Sequence, residues 1–301
     1  MSVPQNVTGP LARVAIVAAF LAASSTAASA QTPPVDSTGR EVARILQTPA
    51  VATGGYLRFN FPRRDITLRM GDVTVAPALA LGGWAGFAGT RKDAVVMGDL
   101  VVTSDELKPV LAELERQRLD VTSIHNHLAG EQPSVTYIHF HGMGDAIDLA
   151  TRLDRAVART AVPRPVATPA AAPLSVDTAR VFAALGASGR AQGSVVQLSF
   201  MLVNGAVTMH GRPLVPALAY GSPVNLQMVN AARAVATGDF AVLEAQVAPV
   251  VNALARHGIT ATAVHSHLVG ETPRVYYIHF WADGGLDEVM RGLRAAVDAA
   301  R

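Results

Sequence analysis

Residues 119–142 read LDVTSIHNHLAGEQPSVTYIHFHG, and 140 positions later residues 259–283 read ITATAVHSHLVGETPRVYYIHFWAD. The offset holds residue by residue: His125 matches His265, His127 matches His267, Gly130 matches Gly270, Glu131 matches Glu271, Pro133 matches Pro273 and His139 matches His279. Each copy carries two β-like runs around a segment containing Gly and Pro, the pattern of a hairpin. The repeat organises the chain, because the elements on either side are duplicated with it.

Ahead of each hairpin stands an amphipathic helix. In the first copy Thr103-Ser104-Asp105-Glu106 has the capping-box spacing, and Leu107, Val110, Leu111 and Leu114 recur at helical period. In the second, Leu243, Val247, Val250, Val251 and Leu254 form the stripe without a capping box, and Gly258 stands at the C-terminal end. A closing helix follows each hairpin, over Asp145 to Arg159 and Leu286 to Ala299. Further upstream are a short helix (Asp36 to Leu46; Asp177 to Leu185), several β-like runs and a shared Pro-Ala-Leu-Ala at Pro77 and Pro216. The spacer AVPRPVATPAAAP, residues 161–173, holds four Pro and favours an extended linker. The expected organisation is a first α+β repeat over residues 36–160, a Pro/Ala-rich linker over 161–176 and a second α+β repeat over 177–301. The expected fold class is α+β, two tandem homologous domains, each a mainly antiparallel sheet with helices, possessing a ferredoxin-like portion and related by pseudo-symmetry.

The first thirty residues read as a signal peptide. Arg13 precedes an uncharged run from Val14 to Ala23, and Ala28-Ser29-Ala30 fits signal-peptidase cleavage. That run is too short to span a bilayer. The chain has no Cys, which excludes a lipobox, disulfides and thiolate ligands. The expectation is a periplasmic or secreted, soluble protein that is not a lipoprotein and does not insert into a membrane after leader cleavage. Formal charge is only +2, basic residues do not cluster and aromatics are sparse, which argues against nucleic acid as a partner.

All nine His follow residue 124, and seven lie in the two hairpins. His125 and His127 are two apart, as are His139 and His141, so each pair shares a strand face. In an antiparallel pair, opposed residues have a constant index sum. An even sum places all four on one side, and a sum near 264 would set His125 opposite His139, at roughly 4.5 to 5.5 Å between Cβ atoms. An odd sum would separate them. Glu131 and Glu271 follow in the turn as a further ligand or as a general base for metal-bound water. The expected metal ligands are His125, His127, His139 and His141, with His265, His267 and His279, one divalent ion per domain; Trp281 stands where His141 would repeat. Imidazole and carboxylate without thiolate suit Zn best, with Mn, Ni, Fe or Cu(II) open. Asp99 and Asp239, each after Gly, read as turn or cap residues.

The doubled pattern GDL/GDF, a downstream Pro-Val, then V-T-x-x-H-x-H-x(3)-E-x-P-x-V-x-Y-I-H-F resembles the LppY/LpqO family of exported bacterial proteins, a domain of unknown function (DUF1259). The resemblance covers nearly all the chain after the leader, and implies tandem related domains and export without an assigned activity. H-x-H-x(3)-E with a later His is also similar to the first half of a cupin metal motif, but the second cupin motif is missing and a capped helix precedes the His strand. Two functions stand: a metal-binding protein, extending to metal-dependent hydrolysis with Glu131 and Glu271 as catalytic bases, or a metal-free envelope binding module with structural histidines. The partner in either case is an unidentified small molecule or envelope component. No G-x-S-x-G elbow, P-loop or dinucleotide fingerprint offers other chemistry.

Overall fold

The computed structural model describes residues 35–166 and 176–301. The leader and residues 167–175 of the Pro/Ala-rich spacer lie outside this range.

The first repeat runs α1 (Ser37–Leu46), β1 (Ala50–Thr53), β2 (Tyr56–Pro62), β3 (Leu68–Met70), β4 (Val73–Val75), α2 (Pro77–Ala80), β5 (Gly82–Gly89), β6 (Ala94–Thr103), α3 (Ser104–Arg116), β7 (Asp120–His125), β8 (Val135–Gly144) and α4 (Ala146–Val157). The second runs α5 (Thr178–Leu185), β9 (Gly189–Gln192), β10 (Val195–Phe200), β11 (Thr208–Met209), β12 (Arg212–Pro213), α6 (Pro216–Ala219), β13 (Ser222–Met228), β14 (Arg233–Val242), α7 (Glu244–Arg256), β15 (Thr260–His265), β16 (Glu271–Thr272), β17 (Tyr276–Gly285) and α8 (Leu286–Ala299). The α+β class and the tandem organisation expected from the sequence are both present.

Helix starts follow their local chemistry. The Asp36 carboxylate accepts the Gly39 amide at 2.7 Å, and Asp145 accepts that of Ile147 at 2.9 Å. Glu106 reaches back to the Thr103 amide at 3.0 Å. The second copy keeps this half of the box, since Gln246 Oε1 accepts the Leu243 amide at 2.7 Å.

Each repeat builds a six-stranded antiparallel sheet, ordered β1-β2-β5-β6-β8-β7 and β9-β10-β13-β14-β17-β15. The ferredoxin-like portion is the unit β6-α3-β7, whose two strands are separated by β8. Strand alternation divides the side chains between two layers. Ala94, Val96, Leu100 and Val102 of β6 pack under α1, α3 and α4, while Met97 and Val101 face the other repeat. Likewise Ala234, Ala236, Phe240 and Val242 of β14 pack under α5, α7 and α8, leaving Val235 and Ala241 on the opposite face. The molecule is therefore a four-layer sandwich, helices, sheet, sheet, helices, with the two sheets turned toward each other.

Each repeat also covers the inner face of its neighbour. Gln227 accepts the Ala76 amide and donates to the Thr74 carbonyl, Asn225 donates to Leu79 O and Gln197 to Ala78 O, clasping the β3-β4-α2 segment. The reciprocal contact is apolar at β5, where a Cβ on Gly86 would lie 2.3 Å from Leu218 Cδ1, so only glycine lets α6 approach this closely, and Arg212 of β12 pairs with Asp93 at 2.8 Å. Tyr137 and Tyr277 donate to Ala80 O and Ala219 O, both at 2.6 Å and both buried.

Replacing Tyr137 by Phe leaves a buried carbonyl unpaired, and should cost about 1–3 kcal/mol in denaturant unfolding; Tyr277→Phe should cost as much. The copies differ in acid response. Glu113 is held down to about 2 by Arg116, with Gln117 and Arg159 also donating to it, whereas Ala253 takes its place in the second copy. A depressed carboxylate stabilises the fold above its unfolded value, about 4.5, and that contribution is lost as pH falls from there toward 2. Glu113→Gln should therefore show a flatter stability profile over this window than the parent, measured by urea unfolding at stepped pH.

Candidate metal centre

The register of the hairpin places the histidines on one face. β7 pairs with β8 as Ser123↔His139, Ile124↔Ile138 and His125↔Tyr137, an index sum of 262. The sum is even, so His125 and His139 share a side, but His125 opposes Tyr137 and not His139. A bulge between Val121 and Ser123 shifts the register beyond this point, and Asp120 then opposes His141. The second copy repeats the pattern with Ala263↔His279 and His265↔Tyr277.

Both faces look into the space between the sheets, so the two histidine sets meet. The two sets expected one per domain are not apart in space: His125, His127, His139, His265, His267 and His279 form one cluster at the pseudo-two-fold axis. Ring centroids of His125 and His265 are 3.9 Å apart. The symmetric pairs His127–His279 and His139–His267 lie at 3.9 and 3.8 Å. His127 and His267 stack on the anchored Tyr137 and Tyr277 at 3.4 and 3.7 Å. The halves are also tied together by Thr262, whose hydroxyl donates to His127 O.

Ring nitrogens converge at the centre. His279 Nε2 lies 3.1 Å from His125 Nε2 and 3.4 Å from His267 Nε2. His125, His265, His267 and His279 each place a donor atom within 4.8 Å of the others, as do His125, His127 and His139. Nitrogens of His127, His139 and His265 are buried without a hydrogen-bond partner.

Asp99 and Asp239, read from sequence as turn or cap residues, are instead mid-strand and directly opposite His139 and His279. Asp239 Oδ1 lies 2.5 Å from His279 Nδ1, fixing that ring with Nε2 pointing to the centre. Asp99 Oδ2 lies 3.8 and 3.9 Å from Nε2 of His139 and His127. Sequence held the signal for both: 40 residues separate each Asp from its His, and an even spacing on antiparallel neighbours keeps a common face. What it lacked was the pairing of β6 with β8.

Three expected residues stand apart. Glu131 and Glu271 are buried, but Glu131 accepts from the Ser134 hydroxyl and, at 3.4 Å, from the Val135 amide. Glu271 accepts from Ser266 and the Val275 amide, and pairs with Arg274. They brace the loops between the hairpin strands and belong to none of the donor groups above. His141 lies beside Asp120 and His210, outside the six-ring cluster.

Burial sets the charge state. Desolvation pushes His127, His139 and His267 well below the ordinary imidazole value, and neighbouring imidazoles add to it. Burial lowers His125 too, and lowers His265 to about 4. Asp99 moves up, through desolvation first and the Asp239 carboxylate second. At neutral pH these shifted imidazoles are uncharged and their lone pairs are free to coordinate a cation.

Among the described residues no helix is long and apolar enough to cross a membrane. No curated protein matches the chain. The family profile described as Domain of Unknown Function (DUF1259) matches residues 40–159 and 179–299, which are the two repeats. The chain therefore belongs to the DUF1259 family and carries its domain in tandem.

Proposed function

We propose that this protein binds a divalent transition-metal ion between its two repeats, with His125, His265, His267 and His279 as ligands. The carrying observation is the spacing of the ring nitrogens. A tetrahedral ion with Zn–N bonds of 2.0–2.1 Å holds its ligands about 3.3 Å from one another; Nε2 of His279 stands 3.1 and 3.4 Å from those of His125 and His267. Two imidazoles facing through Nε2 need a proton or a cation between them, and a cation serves three at once. Asp239 on His279 Nδ1 is the outer carboxylate that commonly orients a metal-bound imidazole. His127 and His139, beside Asp99, form an adjoining donor set shared through His125.

Four imidazoles without thiolate favour Zn, with Ni and Cu(II) the next fits; Mn and Fe would draw more on the carboxylates. Hydrolysis would need an open coordination position and a base at the ion. Glu131 and Glu271 would have to leave their loop amides to supply that base, whereas Asp99 already faces the ring nitrogens, so binding is the better supported reading. The ligand or substrate would be a small molecule or envelope component reached after export.

Elemental analysis of the purified, untagged protein should find stoichiometric metal. His125→Ala/His127→Ala should lose most of it, while Glu271→Gln keeps it and only loosens its loop. A parent protein that stays empty after incubation with Zn, Ni, Mn, Fe and Cu would leave the histidines as structural residues and sink this reading. The export reading rests on residues 1–30, and mass analysis of the secreted chain should give an N-terminus at Gln31; an intact leader would contradict it.

A further inference from the structure

The two repeats should match wherever their sequences do, and at one place beside the cluster they do not. A cavity of about 210 Å³ is lined by Asp120, Thr122, His141, Met209 and His210, with Val121 and Val269. At the equivalent positions of the other copy, Thr260 replaces Asp120, Trp281 replaces His141 and Gly71, in the β3–β4 turn, replaces His210. Trp281 packs there against the apolar cluster that includes Val235. One copy thus sets an indole at this place, and the other lines a cavity with two imidazoles and a carboxylate.

The open copy is arranged for a cation. The His141 side chain is 4 % exposed, its Nδ1 is turned toward Asp120 Oδ2 at 3.8 Å, and its Nε2 is buried with no partner. A carboxylate behind Nδ1 leaves the Nε2 lone pair available, the arrangement commonly found behind metal-bound imidazoles. The His210 ring centroid lies 6.3 Å from that of His141. Two imidazoles sharing one ion at 2.0–2.1 Å have centroids about 5–6.4 Å apart, so both can reach it. Met209 adds a thioether to the lining.

His210 is held where it is at a conformational cost. It sits in the β11–β12 turn at φ 52, a left-handed conformation unfavourable for a residue with a Cβ. A Cβ on Gly270 would come within 3.4 Å of the His210 ring, while one on the equivalent Gly130 would meet nothing within 4 Å. The segment is fixed to the rest of the protein by β11 pairing with β16, Met209 opposite Glu271.

We propose that His141 and His210, with Asp120 orienting His141, form a second and asymmetric site for a borderline divalent transition ion such as Cu(II) or Zn(II). The site does not depend on the four-imidazole centre. The test uses the full chain stripped of metal and titrated with Cu(II) and with Zn(II), uptake being counted by elemental analysis after desalting. The parent should take up one equivalent more than either His141→Ala or His210→Gly. That equivalent should persist in a His125→Ala/His267→Ala background, which separates it from the central site. Asp120→Asn should weaken it about 10- to 100-fold. His210→Gly keeps the left-handed turn and lies on the surface, so its folding is secure even if His141→Ala is unstable. Equal uptake by the parent and His210→Gly, or loss of the extra equivalent in the His125→Ala/His267→Ala background, would overturn the proposal.

Discussion

A ring nitrogen removed from water without a partner costs about 1–3 kcal/mol, and the space between the two sheets holds such nitrogens on His127, His139 and His265. Placing them there is affordable only because the surroundings are arranged around them. Tyr137 and Tyr277, each anchored to a carbonyl of a short helix, supply the stacking surfaces for His127 and His267. Asp239 and Ser123 take the Nδ1 sides of His279 and His125. What these contacts leave unsatisfied is the set of ring nitrogens on which the proposed metal site rests.

That constraint sets imidazoles and carboxylates on the inner sheet faces at the axis, with apolar side chains next to them. Around the cluster, Val101, Val135, Val195 and Val235 on one side and Met97, Val207, Ala241 and Val275 on the other close the layer with apolar side chains. They bury the rings of His127, His139 and His267, and that desolvation disfavours the charged form of all three. The clasp of Gln197, Asn225 and Gln227 on β3-β4-α2 satisfies backbone groups that would otherwise be buried unpaired. Its counterpart around Gly86 and Leu218 needs no such clasp, because the approach there is apolar. The repeats share a fold and a site but not the means of docking.

Much of this was legible in the sequence, and the limits are physical. Period and capping gave the helices, and the two-residue spacing of His125 and His127 put them on one face, because these signals are local. The index-sum argument required an even register, and the structure has one at the histidines only because a bulge near Thr122 raises the sum from 261 to 262, which sets His125 opposite Tyr137 and not His139. The same bulge sets Asp120, and not Val121, opposite His141. Asp99 and Asp239 were misread because a Gly-Asp pair is an ordinary turn signal, and only the pairing of β6 with β8 and of β14 with β17 turns them into neighbours of the histidines. The merging of two hairpin sites into one depends on which sheet faces meet, and no local pattern carries that.

Duplication and the shared site account for each other. One repeat alone would present at least three imidazoles and one carboxylate on a sheet face with no partner sheet to cover them. Covering that face with a copy of itself across a two-fold axis brings His125 against its own counterpart, His265, and doubles the donors at the axis. Fusing the copies in one chain removes the need for a second molecule, and it also frees each half to change alone. His141 against Trp281, and Glu113 against Ala253, are such changes. The centre, by contrast, stays matched at all six histidines and both aspartates, because there a change in either half alters a site to which both contribute.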